Sequence, residues 1–317
     1  MADDEFSIID KYFARIGWQS DSIVLGPGDD CAVLSVPAGF ELCLSTDTLV
    51  SGIHFPAGAD GDVVARRAFS AALSDLAAMG ATPYTFTGAL TMPRVDHTWL
   101  SAFSKELSRL SIEFEIPLVG GDLTRGPMSL TITVMGLTRP GQAIRRSGAS
   151  VGDDVYVTGY PGEAGAGLML LGRADKRFGS LLKAYQSPQP RIGLGEGLRT
   201  LASAAIDVSD GLFADLAHML ESSAVGAEIE IGEIPISSEM LEFTTRDKAL
   251  SLALTAGDDY ELCFCACISN RDKVENLARS TGVIITRIGC IVKKKGIRLL
   301  GDGVDTLDLV KKGYQHF

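Results

Sequence analysis

Leu118-Val-Gly-Gly-Asp-Leu-Thr-Arg-Gly126 is the stretch on which the reading of this chain turns. The apolar residues Ile116 to Val119 predict a short buried strand. The Gly120-Gly121 pair after them predicts a sharp turn that brings backbone N–H groups close to a ligand. Asp122, beside that turn, can hold a cation between the protein and an anionic ligand. Taken alone, the stretch is equally an acidic turn between two strands. The theme recurs, however, at Gly28-Asp-Asp30, Ser45-Thr-Asp47, Asp75, Asp207-Val-Ser-Asp210 and Gly257-Asp-Asp259.

Outward from that stretch, strands and helices alternate. Apolar spacing predicts helices over 6–16, 62–79 and 97–114, and strands over 31–34, 41–45, 84–92 and 130–137, the 41–45 strand ending in Thr46-Asp47. Asp75 lies near the C-terminal end of the alanine-rich 62–79 helix, where the macrodipole disfavours an anion. A cation partner explains it better than a structural role. The pattern is α/β (α+β) and places a first domain at 1–140, ending near Arg139-Pro-Gly141. The second domain, 141–317, opens with a linker or arm carrying Arg145-Arg146 and a strand over 155–159. Helices over 163–171, 178–185, 192–202 and 212–220 follow, with strands over 204–208, 262–268, 283–291 and 297–300. Asp210 is placed to cap the 212–220 helix, whereas Asp207 interrupts an apolar strand and asks for another explanation.

A chain of 317 residues suits two domains. Its net charge of −11 argues against a nucleic-acid partner, and no apolar run is long enough to span a membrane. The acidic start, MADDEFSIID, is unlike a secretory signal. The six cysteines form no C-x-x-C pair, and Cys263, Cys265 and Cys267, on one strand face, read as small buried thiols. A cytoplasmic setting is expected. If the scattered aspartates converge, two carboxylates about 4 Å apart repel by roughly 4 kcal/mol at an effective dielectric of about 20. Such a cluster persists only with cations, and oxygen ligands select Mg²⁺ or Ca²⁺. P-loop, dinucleotide-binding and protein-kinase motifs are absent from the sequence, so an ATP site here would rest on aspartates and metal.

In order, GDD (28–30), STDTLVSGIHF (45–55), ALSDLAAMGA (72–81), GGDLTRG (120–126), RRSGASVGDDVYVTG (145–159), DVSDGL (207–212) and GDDYEL (257–262) resemble the thiamine-monophosphate kinases. That family belongs to the aminoimidazole-ribonucleotide-synthetase-like superfamily, and the likeness runs along nearly the whole chain. It implies an N-terminal domain (1–140) that binds ATP and metal and pairs with its copy in a dimer β-barrel. It also implies a C-terminal α/β domain (141–317) that closes the active-site cleft, with ATP and several Mg²⁺ ions in between.

Position by position, the resemblance assigns metal ions to Asp30, Ser45, Thr46, Asp47, Asp75, Asp122, Asp207 and Asp210. It assigns ATP to Gly121, Asp122, Arg146 and Ser209, and thiamine monophosphate to His54, Asp258 and Tyr314. Asp122, Arg146 and Asp210 would carry the chemistry: direct in-line transfer of the ATP γ-phosphoryl group, completing thiamine diphosphate synthesis. Asp258 stands where the family usually has Glu, and Ser51 replaces another usual Glu. The rival readings are another ATP-using enzyme of the superfamily, or a non-catalytic nucleotide or diphosphate sensor.

Overall fold

The computed structural model describes residues 4–14, 16, 17, 19–173 and 176–301. The chain divides into two compact units, residues 1–76 with 81–141, and residues 77–80 with 142 onward.

The first unit runs α1 (Glu5–Tyr12), β1 (Ile23–Leu25), β2 (Val33–Leu34), β3 (Glu41–Val50), α2 (Gly61–Ala78), β4 (Thr82–Met92), α3 (His97–Glu113), β5 (Leu118–Arg125) and β6 (Ser129–Thr138). Its sheet has the order β3-β6-β4-β5 and is antiparallel except for the β4–β5 pair. Side chains alternate between faces along each strand. On β6 the alternation is clean: Leu130, Ile132 and Val134 are buried and the threonines between them half-exposed. The alanine-rich α2 lies close to the buried face, and its Phe69 ring meets Phe86 of β4 edge-on at 5.3 Å. Side chains of this size contribute about 1.5–3 kcal/mol each on burial.

Two expectations are corrected here. The Gly120-Gly121 pair is not a turn, because β5 runs straight through it. Gly121 pairs with Gly88, and a Cβ on Gly121 would stand 2.0 Å from the Gly88 carbonyl oxygen. Here the glycines permit close strand approach rather than reversal. Likewise β3 does not end at Ser45 but continues to Val50, so Ser45, Thr46 and Asp47 lie mid-strand. Their pairing with β6 residues 132–134 outweighs the turn-forming tendency of serine and aspartate.

The second unit runs β7 (Asp154–Thr158), α4 (Glu163–Leu170), α5 (Gly179–Gln186), α6 (Ile192–Leu198), β8 (Ala202–Val208), α7 (Leu212–Ser223), β9 (Gly226–Glu230), α8 (Ser238–Phe243), α9 (Arg246–Thr255), β10 (Glu261–Ala266), α10 (Arg271–Thr281), β11 (Ile285–Val292) and β12 (Gly296–Leu300). Its six-stranded sheet has the order β12-β9-β11-β7-β10-β8, antiparallel except at β12–β9. Strands β7 and β10 are buried throughout, so they read as nearly continuous apolar runs rather than alternating ones. Cys263 and Cys265 are buried as expected; Cys267 lies past the strand end and is exposed. Among the described residues no helix is long and apolar enough to cross a membrane.

Candidate active site

In the first unit, strand alternation turns Ser45 and Asp47 toward α2, which presents Asp75. The Ser45 hydroxyl donates to the Asp75 carboxylate. Burial, reinforced by the negative charge of Asp75, pushes the Asp47 carboxyl up to about 6. The macrodipole argument for Asp75 therefore found a hydroxyl donor and a second carboxylate. Thr46 points to the opposite face, where its hydroxyl pairs with Thr133 at 2.9 Å. Among the described residues no three His, Cys, Asp or Glu side chains form a ready cation cage. Two oxygen-only groups that repel each other nonetheless suit Mg²⁺, which is held by one or two carboxylates and completed by substrate phosphates and water. The pair fits that ion.

A pocket of about 570 Å³ opens in the same unit. Phe86, Leu90, Leu130 and Ile132 give it apolar walls, and Gly88, Gly120 and Gly121 lie along it. Asp29, Asp30 and Asp122 place carboxylates at the same pocket. An apolar chamber with a few convergent polar groups is the usual form of a small-molecule site. His54 lies in the tight turn after β3. Its Nδ1 accepts the Val50 N–H at 3.0 Å, which puts the proton of the neutral ring on Nε2. Arg67, only 1% exposed, donates to the His54 carbonyl at 2.9 Å and fixes that turn.

In the second unit, β8 and β10 bring Asp207 opposite Leu262, and the loops beyond them meet. Asp258 N–H donates to the Ser209 carbonyl and Tyr260 N–H to the Val208 carbonyl, both at 2.9 Å. The structure therefore groups Ser209, Asp210 and Asp258, with Asp207 buried just below. Asp210 does not cap α7. The N-cap is Gly211, and Asp215 reaches back one turn so that a single carboxylate oxygen accepts the N–H groups of Ser209, Asp210 and Gly211 at 3.0, 3.0 and 3.1 Å. Those amides are thereby occupied. Burial, and the charge of Asp210, push the Asp215 carboxyl up to about 6 against the three donors. Arg146 is exposed on an irregular segment tied down where the Ser223 hydroxyl donates to the Arg146 carbonyl at 3.1 Å. Tyr314 lies outside the described residues.

Sequence reasoning missed Asp215 and Arg67, and it named Asp259 within Gly257-Asp-Asp259 without a role of its own. For Asp215 a signal existed, four residues past the Gly of a Ser-Asp-Gly loop and thus facing back onto it.

The chain matches the family models for AIR synthase related proteins, the N-terminal domain over residues 28–138 and the C-terminal domain over 150–302. It is 43% identical to the thiamine-monophosphate kinase of Escherichia coli strain K12 over 323 aligned residues, covering 100% of this chain and 99% of that protein. A solved structure of thiamine-monophosphate kinase from Stenotrophomonas maltophilia superposes with a TM-score of 0.86 at 40% identity, covering 95% and 97% of the two chains. A structure of AaThiL complexed with AMPPCP and TMP superposes with a TM-score of 0.79 at 27% identity, covering 99% and 97%.

Proposed function

The chain belongs to the AIR synthase related family and, within it, to the thiamine-monophosphate kinases; from that premise we propose that it transfers the γ-phosphoryl group of ATP to thiamine monophosphate. The products are thiamine diphosphate and ADP. What carries the reading is a likeness that spans both domains, joined to a half-buried carboxylate pair, Asp47 and Asp75, that a divalent cation would relieve.

The acceptor needs no strong base. Its nucleophile is a phosphate monoester oxygen, largely ionised near neutral pH because the second pKa is about 6. The obstacle is charge, since one anion must attack another. Asp47 and Asp75, with Asp30, Asp122, Asp207 and Asp210, would hold Mg²⁺. Ser45 adds its hydroxyl and Thr46, whose side chain lies on the other face, a backbone oxygen. When bound, Mg²⁺ neutralises and aligns the phosphate oxygens for in-line displacement. Arg146 supplies further positive charge toward ATP, and Ser209 a hydroxyl. The apolar chamber beside Gly121 and Asp122 takes the nucleoside end of ATP, leaving the phosphates to the carboxylate side. His54 and Asp258, together with Tyr314, contact the acceptor. Transfer is direct, with no phosphorylated protein between the two substrates. The protein works in the cytoplasm.

The purified protein with ATP and Mg²⁺ should form thiamine diphosphate and ADP one for one from thiamine monophosphate, and neither from thiamine. Inorganic triphosphate in place of ATP should give no product, because it leaves the apolar chamber empty. Turnover with triphosphate would remove the nucleoside assignment. A trapped phosphoprotein would remove direct transfer, and no product with ATP would remove the function.

The working form is a homodimer built on the first unit's sheet. β3 is an edge strand of ten residues, and its outer face carries Leu42 and Leu44, 45% and 63% exposed, beside Thr46 and Thr48. A long, apolar edge with no second strand beside it among the described residues invites another sheet. Sedimentation should give twice the 33.6 kDa chain mass, and Leu44→Lys should shift it to the monomer. A parent that sediments as a monomer at micromolar concentration would refute the assembly.

A further inference from the structure

The short loop before β10 departs from ordinary backbone geometry. Asp258 and Tyr260 have φ of 69° and 52°, a left-handed conformation that residues with a side chain seldom adopt. Asp259, between them, is buried, 9% exposed, and turned away from both. Its carboxylate accepts the Gly162 N–H at 2.6 Å and the Ala164 N–H at 3.1 Å. Those are the first free amides of α4, a helix whose own N-cap, Gly162, has no side chain to offer. Asp259 is therefore the cap of a helix almost a hundred residues earlier in the chain.

The same loop is held from its other side. Asp258 and Tyr260 donate their N–H groups to the end of β8, and the Tyr260 hydroxyl donates to Asp258 Oδ1 at 3.1 Å. Gly257 comes so close to Ser209 that a Cβ there would stand 2.2 Å from its carbonyl oxygen. The Asp258 carboxylate thus has its place set beside Ser209 and Asp210.

We propose that Asp259 is the positioning residue of the acceptor site: by capping α4 it keeps Asp258 and Tyr260 in their left-handed conformation and so presents the Asp258 carboxylate to the cationic thiamine part of the acceptor, away from its phosphate. This rests on the reading of Asp258 as an acceptor contact. It adds a residue that never touches substrate yet sets acceptor affinity. Asp259→Asn is the intermediate variant: its one amide oxygen can accept from one of the two N–H donors, while its NH2 faces the other. Burial holds the Asp259 carboxyl well above its ordinary range.

Initial rates with ATP and thiamine monophosphate varied separately test the proposal. Asp259→Ala should raise the acceptor KM by about tenfold or more, with ATP KM and kcat within about threefold of the parent. Asp259→Asn should bring the acceptor KM only part of the way back toward the parent, because it restores one of the two capping bonds. Asp258→Ala should raise the same KM, and adding Asp259→Ala to it should cost little more, because both changes act through one contact. Where Asp259→Ala yields no folded protein, Asp259→Ser, whose hydroxyl is too short to reach both amides, replaces it with the same expectation. A lowered melting temperature with an unchanged acceptor KM would overturn the proposal, as would ATP KM rising in parallel. A parent that forms thiamine diphosphate while Asp259→Ala keeps its acceptor KM removes the proposal alone. A parent with no turnover removes the function, and the proposal falls with it.

Discussion

Asp47→Asn should fold at least as well as the parent at pH 8 and yet lose turnover by roughly 10²–10³-fold, the scale seen when one electrostatic stabiliser of a transition state is removed. The two effects have one cause. Burial and Asp75 push the Asp47 carboxyl from 3.8 to about 6. A carboxyl raised on folding favours the folded state while protonated, below the unfolded value. That benefit is lost as pH rises through about 6. At pH 8 the ionised pair therefore works against folding, by at most about 3 kcal/mol. Asparagine removes the repulsion together with the ligand.

Melting temperatures in EDTA should show the variant's advantage over the parent growing between pH 5 and pH 8. Added Mg²⁺ should narrow the gap by raising the parent alone. Rates at pH 8 in saturating Mg²⁺ and ATP measure the loss of activity. A variant that keeps its turnover would remove Asp47 from the cation site. One that melts lower at pH 8 would show that Asp47 is there for the fold.

Much of the architecture was legible because its signals are local. The 3.6-residue spacing of α2 and the alternation of β6 depend on neighbours in sequence, and both elements fall where the pattern puts them. What the sequence hid was long-range. Nothing near Gly120-Gly121 says that the pair lies against Gly88 instead of turning, since that depends on a strand thirty residues away. β9 was missed because Gly226–Glu230 is short and carries two glutamates, and α10 because its charged surface leaves Val274 as its only buried residue. In the site, aspartates were recognisable by type and by resemblance, but their division of labour was not. Asp207, Asp210, Asp215, Asp258 and Asp259 look alike in a sequence. Only the fold shows that Asp215 and Asp259 spend their oxygens on backbone amides.

Glu261→Ala should destabilise the second unit by about 3 kcal/mol, near the low end for breaking a buried ion pair. Arg191 approaches Glu261 as a fork, with Nε 2.7 Å from Oε2 and a terminal nitrogen on Oε1. Thr158 adds its hydroxyl to Oε2 at 2.5 Å and accepts the Leu262 N–H at 2.8 Å. One carboxylate therefore joins β7, β10 and the start of α6. Its side chain is 10% exposed and that of Arg191 25%, so a stranded guanidinium would keep some water, which is why the low end applies. The question is whether the attraction itself stabilises, or whether each charge is needed only because the other is present. Chemical denaturation of a double-mutant cycle decides it. If the second account holds, Glu261→Leu with Arg191→Met should lose less than Glu261→Ala alone, because no buried charge is left unmatched. If the pair stabilises outright, the double variant should lose at least as much as either single one. Glu261→Gln separates the remaining component: it keeps an acceptor for Thr158 and removes the charge. A loss close to that of alanine would assign the effect to the guanidinium, and a small loss would assign it to the hydrogen bonds that tie β7 to β10.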